Sequence, residues 1–203
     1  MWSQFVAQPR HGQIFEPASR GRLCVDGVNA QCPLQSWQVN GLESGKFFPA
    51  REARLRDPLA PTDAVNAPAA GRIASAGQAH SAVLDEQSAV RWHKPSVKSG
   101  QMLKLEWSYH ASHLTRLWND FVTQAGWDPN RPLTRDQFES EPFYKAELTA
   151  QPFWEHQAEL TPPQPTIHQV RLPERHGYHV VQAAWEVADT GNAFYQVIDF
   201  NFS

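Results

Sequence analysis

The sequence predicts an all-β sandwich. Three observations carry this: hydrophobic residues recur with period two through much of the second half, turn residues separate those stretches, and helical periodicity is sparse. Between 102 and 109, Leu103, Leu105, Trp107 and Tyr109 share one face, and Gly100 marks the turn before them. Between 179 and 187, His179, Val181, Ala183, Trp185 and Val187 share a face, and the run Asp189-Thr190-Gly191-Asn192 then reads as a turn. Phe194, Gln196, Ile198, Phe200 and Phe202 line the next strand, and Val197 on its other face implies cover on both sides. The 16 prolines fit a loop-rich β protein, since proline cannot donate to a central ladder.

The remaining stretches carry weaker patterns. Residues 11–32 read as irregular, with Pro17 and Gly21 among polar residues. Residues 33–71 read as a long loop region whose Pro- and Ala-rich stretch lacks strand alternation; loops of this length are usually functional or disordered. Ala82-Val83-Leu84 opens the β pattern as a short apolar run. The segment 115–124 (TRLWNDFVTQ) reads as a short helix or turn ended by Gly126, and 134–138 as another with Thr134 as its cap.

Composition excludes several classes. A chain of 203 residues suits one domain and buries a core of its own. With 41% hydrophobic and 19% charged residues it is not a disordered polymer. A net charge of -3 with no basic stripe argues against nucleic acid as partner, and no apolar run reaches the length of a membrane span. The 8 tryptophans are an unusual number; they read mostly as core material, though a sugar-binding surface could use some of them, and composition alone does not divide the two. Cys24 and Cys32 are either two buried thiols or one disulfide; the intervening Asp26-Gly27 and Asn29 favour a turn that closes the pair, and with it an oxidising compartment.

Several blocks, in order, resemble one family. The run His11-Gly12-Gln13-Ile14-Phe15-Glu16-Pro17-Ala18-Ser19-Arg20 is similar to the start of mature bacterial and viral lytic polysaccharide monooxygenases (chitin-binding type-4, auxiliary activity family 10). The resemblance continues through Cys24, Cys32, Trp37, Glu43 and Phe48-Pro49, then Gly71-Arg72-Ile73-Ala74-Ser75-Ala76, Leu84-Asp85, Arg91-Trp92 and Ala111-Ser112-His113. It closes with Gly126-Trp127-Asp128-Pro129, Pro132-Leu133-Thr134-Arg135 and the run from Trp185 to Gln196. It implies a fibronectin III/immunoglobulin-like β-sandwich with a long loop and short-helix region between early strands.

The resemblance also implies a site. His11, through its amino group and ring, and His113 would bind one copper ion; imidazole and amine nitrogens suit that metal. Phe194 matches the axial aromatic, Ala111 the alanine beside the open face, and Glu43 an acidic residue that orients water or an oxygen species. Glu43 otherwise reads as a solvated loop glutamate, and Trp185 as either an inward ring behind the site or plain core. Trp37 matches an aromatic that stacks on sugar rings, although it also reads as core; Gln38, Asp189 and Asn192 are the polar candidates, the latter two also suiting an ordinary turn. The activity implied is oxidative cleavage of crystalline polysaccharide, chitin ahead of cellulose, with an external electron donor and peroxide or oxygen. The competing reading is a non-catalytic polysaccharide-binding module or adhesin of the same fold. A glycoside hydrolase needs two opposed carboxylates, and no pair stands out.

Departures from the family pattern qualify this. The His11 nitrogen is an amide within the Arg10–His11 bond, and an amide is a poor ligand unless deprotonated. Residues 1–10 therefore read as a leader or propeptide-like segment ahead of a domain over 11–203, and Arg10 offers a trypsin-like cut that would free the amine. MWSQFVAQPR lacks the charged-then-apolar pattern of a signal peptide, while the rest reads as a secreted protein, a monomer unless docked on a larger assembly. His110 stands where a small polar residue is usual, Tyr144 and Val170 stand where relatives carry a further disulfide, and the stretches 51–68 and 141–166 are atypical.

Overall fold

The computed structural model describes residues 11–47 and 67–203. The expectations for the leader 1–10, for Phe48-Pro49 and for most of the 51–68 stretch lie outside the described residues.

Among the described residues, nine strands form two sheets. The smaller holds β1 (His11–Glu16), β4 (Met102–Ala111) and β7 (Thr166–Arg171), in the order β1-β4-β7, all antiparallel. The larger runs β2 (Glu43–Gly45), β9 (Asn192–Phe202), β8 (Gly177–Val187), β5 (Thr115–Val122), β6 (Tyr144–Glu147), and β3 (Ser96–Val97) adds a short parallel pairing to β9. The expected β-sandwich is therefore the fold, and β4, β8 and β9 fall where alternation placed them.

One core lies between the sheets. Ile14, Leu105, Trp107, Tyr109, Val170, Trp185, Phe194, Ile198 and Phe200 meet there. A second core lies on the other face of the large sheet, where Tyr195, Val197, Val180 and Phe121 pack against Phe47, Ile73, Leu84 and Trp92. This double cover explains why β8 and β9 are buried at nearly every position, and the implication drawn from Val197 holds.

Double cover also accounts for a wrong expectation. The segment 115–124 is not a helix: Thr115–Val122 is β5, buried at all eight positions and paired with β8 on one side and β6 on the other. Trp118 and Val122 face the inter-sheet core while Phe121 faces the second one, so the segment shows no alternation to read. The 11–32 stretch is likewise ordered: β1 is followed by α1 (Arg20–Val25), capped by Ser19, whose side chain accepts from the Arg22 N–H. Ala82-Val83-Leu84 lies in a 3-10 helix (Ala79–Asp85), not a strand. The expected turn of helix after Thr134 is present as a 3-10 turn at Arg135–Gln137.

The early loop region is pinned by a buried cation. Arg20 is fully buried, donating from Nε and Nη2 to both carboxylate oxygens of Asp199 at 2.9 and 2.7 Å and from Nη1 to the Leu84 carbonyl at 2.8 Å. A bidentate pair of this kind satisfies a charge that burial would otherwise make costly, and it ties α1 to β9 and the 3-10 helix. Cys24 and Cys32 form a disulfide across the following loop. At the positions of the missing second disulfide, Val170 is buried between the sheets, and Tyr144 packs on that core with its hydroxyl 2.8 Å from His168 Nδ1.

Candidate metal centre

Strand pairing brings the histidines together. His11 begins β1 and pairs with Ala111 at the end of β4; His113 lies in the turn from β4 to β5. The β8–β9 hairpin sets Trp185 opposite Phe194, and β2 sets Glu43 against Phe194 from the other side. Four pieces of chain distant in sequence thus converge on one end of the sandwich.

The rings form a compact cluster. The Phe194 ring lies 6.4 Å from His11, edge to face, and 5.5 Å from His113. Behind it, Trp185 stacks on Phe194 at 4.7 Å and meets His113 at 5.9 Å. Trp185 is fully buried and its Nε1–H donates to Thr115 Oγ1 at 2.8 Å, so it is both core and floor of the site. Ala111 is half-buried across from His11.

The polar atoms of the two histidines differ in a telling way. His113 Nδ1 lies 3.0 Å from Asp189 Oδ1, which makes Nδ1 the donor and leaves the ring's lone pair on Nε2. His11 Nδ1 is buried with no hydrogen-bond partner among the described residues. Burial, with the neighbouring His110 and His113, pushes the His11 imidazole below its ordinary value against the opposing pull of Glu43. It therefore stays neutral, with a lone pair to offer, at neutral pH.

These residues fit a copper ion. Two imidazoles, one with an orphaned buried nitrogen and one oriented by a carboxylate, are ligand chemistry for that metal. Among the described residues no group of three or more His, Cys, Asp or Glu side chains could hold a metal. The His11 main-chain nitrogen could add a third donor only as a free amine.

Two polar candidates lie close to this centre. Glu43 is half-buried and its Oε1 accepts from Asn192 Nδ2 at 2.7 Å, while Asp189 holds His113. A cavity of about 650 Å3 opens beside Glu43 and Asn192, walled further by Arg72 and Gln78.

On the His11 side lies a second cavity of about 560 Å3, lined by His11, Trp37, Asn40, His80 and His110. Trp37 is 57% exposed on α2 (Ser36–Asn40), which excludes the core reading. Its ring centroid lies 5.0 Å from that of His80, the two planes tilted by 55°. Gln38 is engaged at both ends of its amide: Nε2 donates to the His80 carbonyl at 2.7 Å, and Oε1 accepts from the Gln35 N–H at 2.8 Å. It clamps α2 to the 3-10 helix beneath Trp37. His110 is exposed and lines the His11 pocket. His80 was missed in the sequence because nothing in the 33–85 stretch shows that it meets Trp37.

A family model described as "Lytic polysaccharide mono-oxygenase, cellulose-degrading" matches residues 11–200. The chain belongs to that family. Among family relatives, it is 37% identical over 194 residues to GlcNAc-binding protein A of Shewanella oneidensis, covering 95% of this chain and 36% of that protein. The chain thus spans about a third of the length of that relative. A chitin binding domain from Burkholderia pseudomallei has a similar structure, with a TM-score of 0.84 and 46% identity over 96% of this chain and 100% of that one. A Bacillus amyloliquefaciens protein solved in complex with Cu(I) matches with a TM-score of 0.69 and 30% identity over 95% of this chain and 100% of that one.

Proposed function

We propose that residues 11–203 form a secreted copper-dependent lytic polysaccharide monooxygenase domain that acts on chitin once His11 is the N-terminal residue. The observation that carries this reading is the pairing of an orphaned His11 Nδ1 with a His113 whose Nδ1 is held by Asp189. The relative solved with Cu(I) supports copper as the metal. The disulfide supports an oxidising compartment.

Copper held by the His11 amine, His11 Nδ1 and His113 Nε2 would supply one-electron chemistry, taking electrons from an external donor and using peroxide or oxygen to oxidise a sugar carbon beside the glycosidic bond. The chain's own residues do the rest. Asp189 keeps the His113 ring in the tautomer and orientation a ligand needs. Phe194 and Trp185 fill the space behind the histidines, excluding water from that side and restricting both rings. Asn192 fixes one oxygen of Glu43, so the carboxylate is positioned to orient water or to hold a proton at the open side. Trp37 offers an exposed ring for the C–H face of a sugar, with polar groups beside it.

Chitin is preferred over cellulose because the relative and the structural neighbour above are named for GlcNAc and chitin, against a family description that names cellulose. The test is copper titration of two samples, the 203-residue chain and a form beginning at His11, followed by product analysis on chitin and cellulose. Tight binding by the trimmed form alone, with oxidised oligosaccharides, is the expected result. Equally weak binding by both would overturn the enzyme reading. It would favour the binding-only alternative, which the amide at His11 and the exposed Trp37 would then describe.

A further inference from the structure

The atypical stretch 141–166 returns to the metal centre. Arg116 on β5 donates from Nη1 to the carbonyls of Leu148 and Ala150 at 2.6 and 2.8 Å, which fixes the stem of the segment. A 3-10 turn (Phe153–Glu155) then leads into α3 (Gln157–Leu160), whose Leu160 is fully buried and anchors the far end. The segment presents Phe153, Gln157 and, just past Leu160, Thr161 to a pocket of about 280 Å3, whose lining also includes Ser112, His113 and Asp189.

The chemistry of this pocket is specific. Phe153 gives it an aromatic face, Gln157 an amide, and Ser112 and Thr161 hydroxyls. An aromatic ring receives the C–H face of a pyranose, and neutral amides and hydroxyls match its hydroxyl and acetamido groups. Asp189, the one carboxylate in the lining, is engaged with His113, and the nearby His156 is paired with Glu159 at 2.7 Å. The pocket therefore suits an uncharged ligand. Beside it, Trp154 meets Phe153 edge to face at 5.1 Å and is 37% exposed, which extends the apolar surface outward.

We propose that this pocket is a second sugar subsite, taking an N-acetylhexosamine unit of the polysaccharide on the His113 side as the Trp37 pocket does on the His11 side. The inference rests on the polysaccharide reading above. Its consequence is geometric: a chain gripped at both flanks has its position over the two histidines set by two contacts rather than one.

The test is a set of binding isotherms on chitin and cellulose suspensions with the full chain, which need no copper. Trp154→Ala and Gln157→Ala alter exposed side chains, and Phe153→Ala removes the inner ring; thermal midpoints check that each variant folds. Trp37→Ala is the reference. Each of the first three is expected to weaken chitin binding about two- to tenfold, the range for a lost aromatic or polar contact. If Trp37→Ala weakens binding while Trp154→Ala and Gln157→Ala leave the isotherm unchanged, the subsite is overturned and the polysaccharide reading stands. If the unaltered chain binds neither polymer, that reading fails and the subsite falls with it.

Discussion

Replacing His168 with glutamine should change how stability depends on pH, and the size of the change can be worked from the structure. His168 points from β7 into the inter-sheet core, 8% exposed, with its ring 5.0 Å from Trp118 and 5.2 Å from Tyr144. Its Nδ1 meets the Tyr144 hydroxyl at 2.8 Å, and its Nε2 is buried with no partner among the described residues. Burial pushes its pKa down from 6.5 to about 4. The folded state therefore keeps the ring neutral between those values while the unfolded chain takes up a proton. Stability is fully present above about pH 6.5 and is lost as pH falls toward 4. At 1.36 kcal/mol per unit the loss approaches roughly 3 kcal/mol at pH 4. Glutamine cannot titrate, so the variant escapes this loss. Asp120, whose carboxyl burial pushes up to about 8, costs stability as pH rises from its unfolded value, but it does so in both proteins and cancels in the difference. Chemical denaturation of both at pH 7, 6, 5 and 4 measures it. The gap should move by roughly 3 kcal/mol in favour of His168→Gln as pH drops. A gap that stays constant, or moves the other way, refutes the reasoning.

The other predictions concern the site and its supports. Asp189→Ala, in a chain beginning at His11, should weaken copper binding about 10- to 100-fold, and Asp189→Asn less because it keeps an acceptor; competition titration reads both. Exchanging Cys24 and Cys32 together for serine opens a loop with a sequence separation of 8, and should lower the unfolding free energy by about 2.5 kcal/mol in a denaturant titration. Gly12→Ala would set a Cβ 2.7 Å from Tyr109 Cδ1 and 3.1 Å from Trp185 Cζ3; overpacking there should cost about 1–3 kcal/mol, seen as a lower thermal midpoint.

Much of this fold was readable because particular residues obey one constraint at a time. β4 alternates since one face meets the core: Leu105, Trp107 and Tyr109 are buried between more open neighbours. β5 was misread because both its faces are covered, and it carries Arg116, Asn119 and Asp120 where apolar residues would have signalled a strand. α1 hid for a related reason, since its buried anchor is Arg20, a residue whose burial makes sense only once Asp199 is beside it. The histidine pair was found through motif order and not through pattern, and the fold then supplied its rationale in Asp189 and Phe194. His80 and Phe153 carried no signal, because what makes them interesting is the partner each meets across a loop.

The antiparallel ladder between β1 and β4 acts as a ruler for the first donor of the site. Gly12 pairs with Tyr109 and Ile14 with Trp107, and beyond a shift in register between His11 and Gly12 the pairing sets residue 11 opposite Ala111. A strand advances about 3.3 Å per residue and turns its side chains over at each step. On the copper reading proposed above, an amine left one residue early would sit about that far from the His11 imidazole, and a cut one residue late would remove that imidazole altogether. On that same reading, a protease that frees His11 would have to cut with single-residue accuracy.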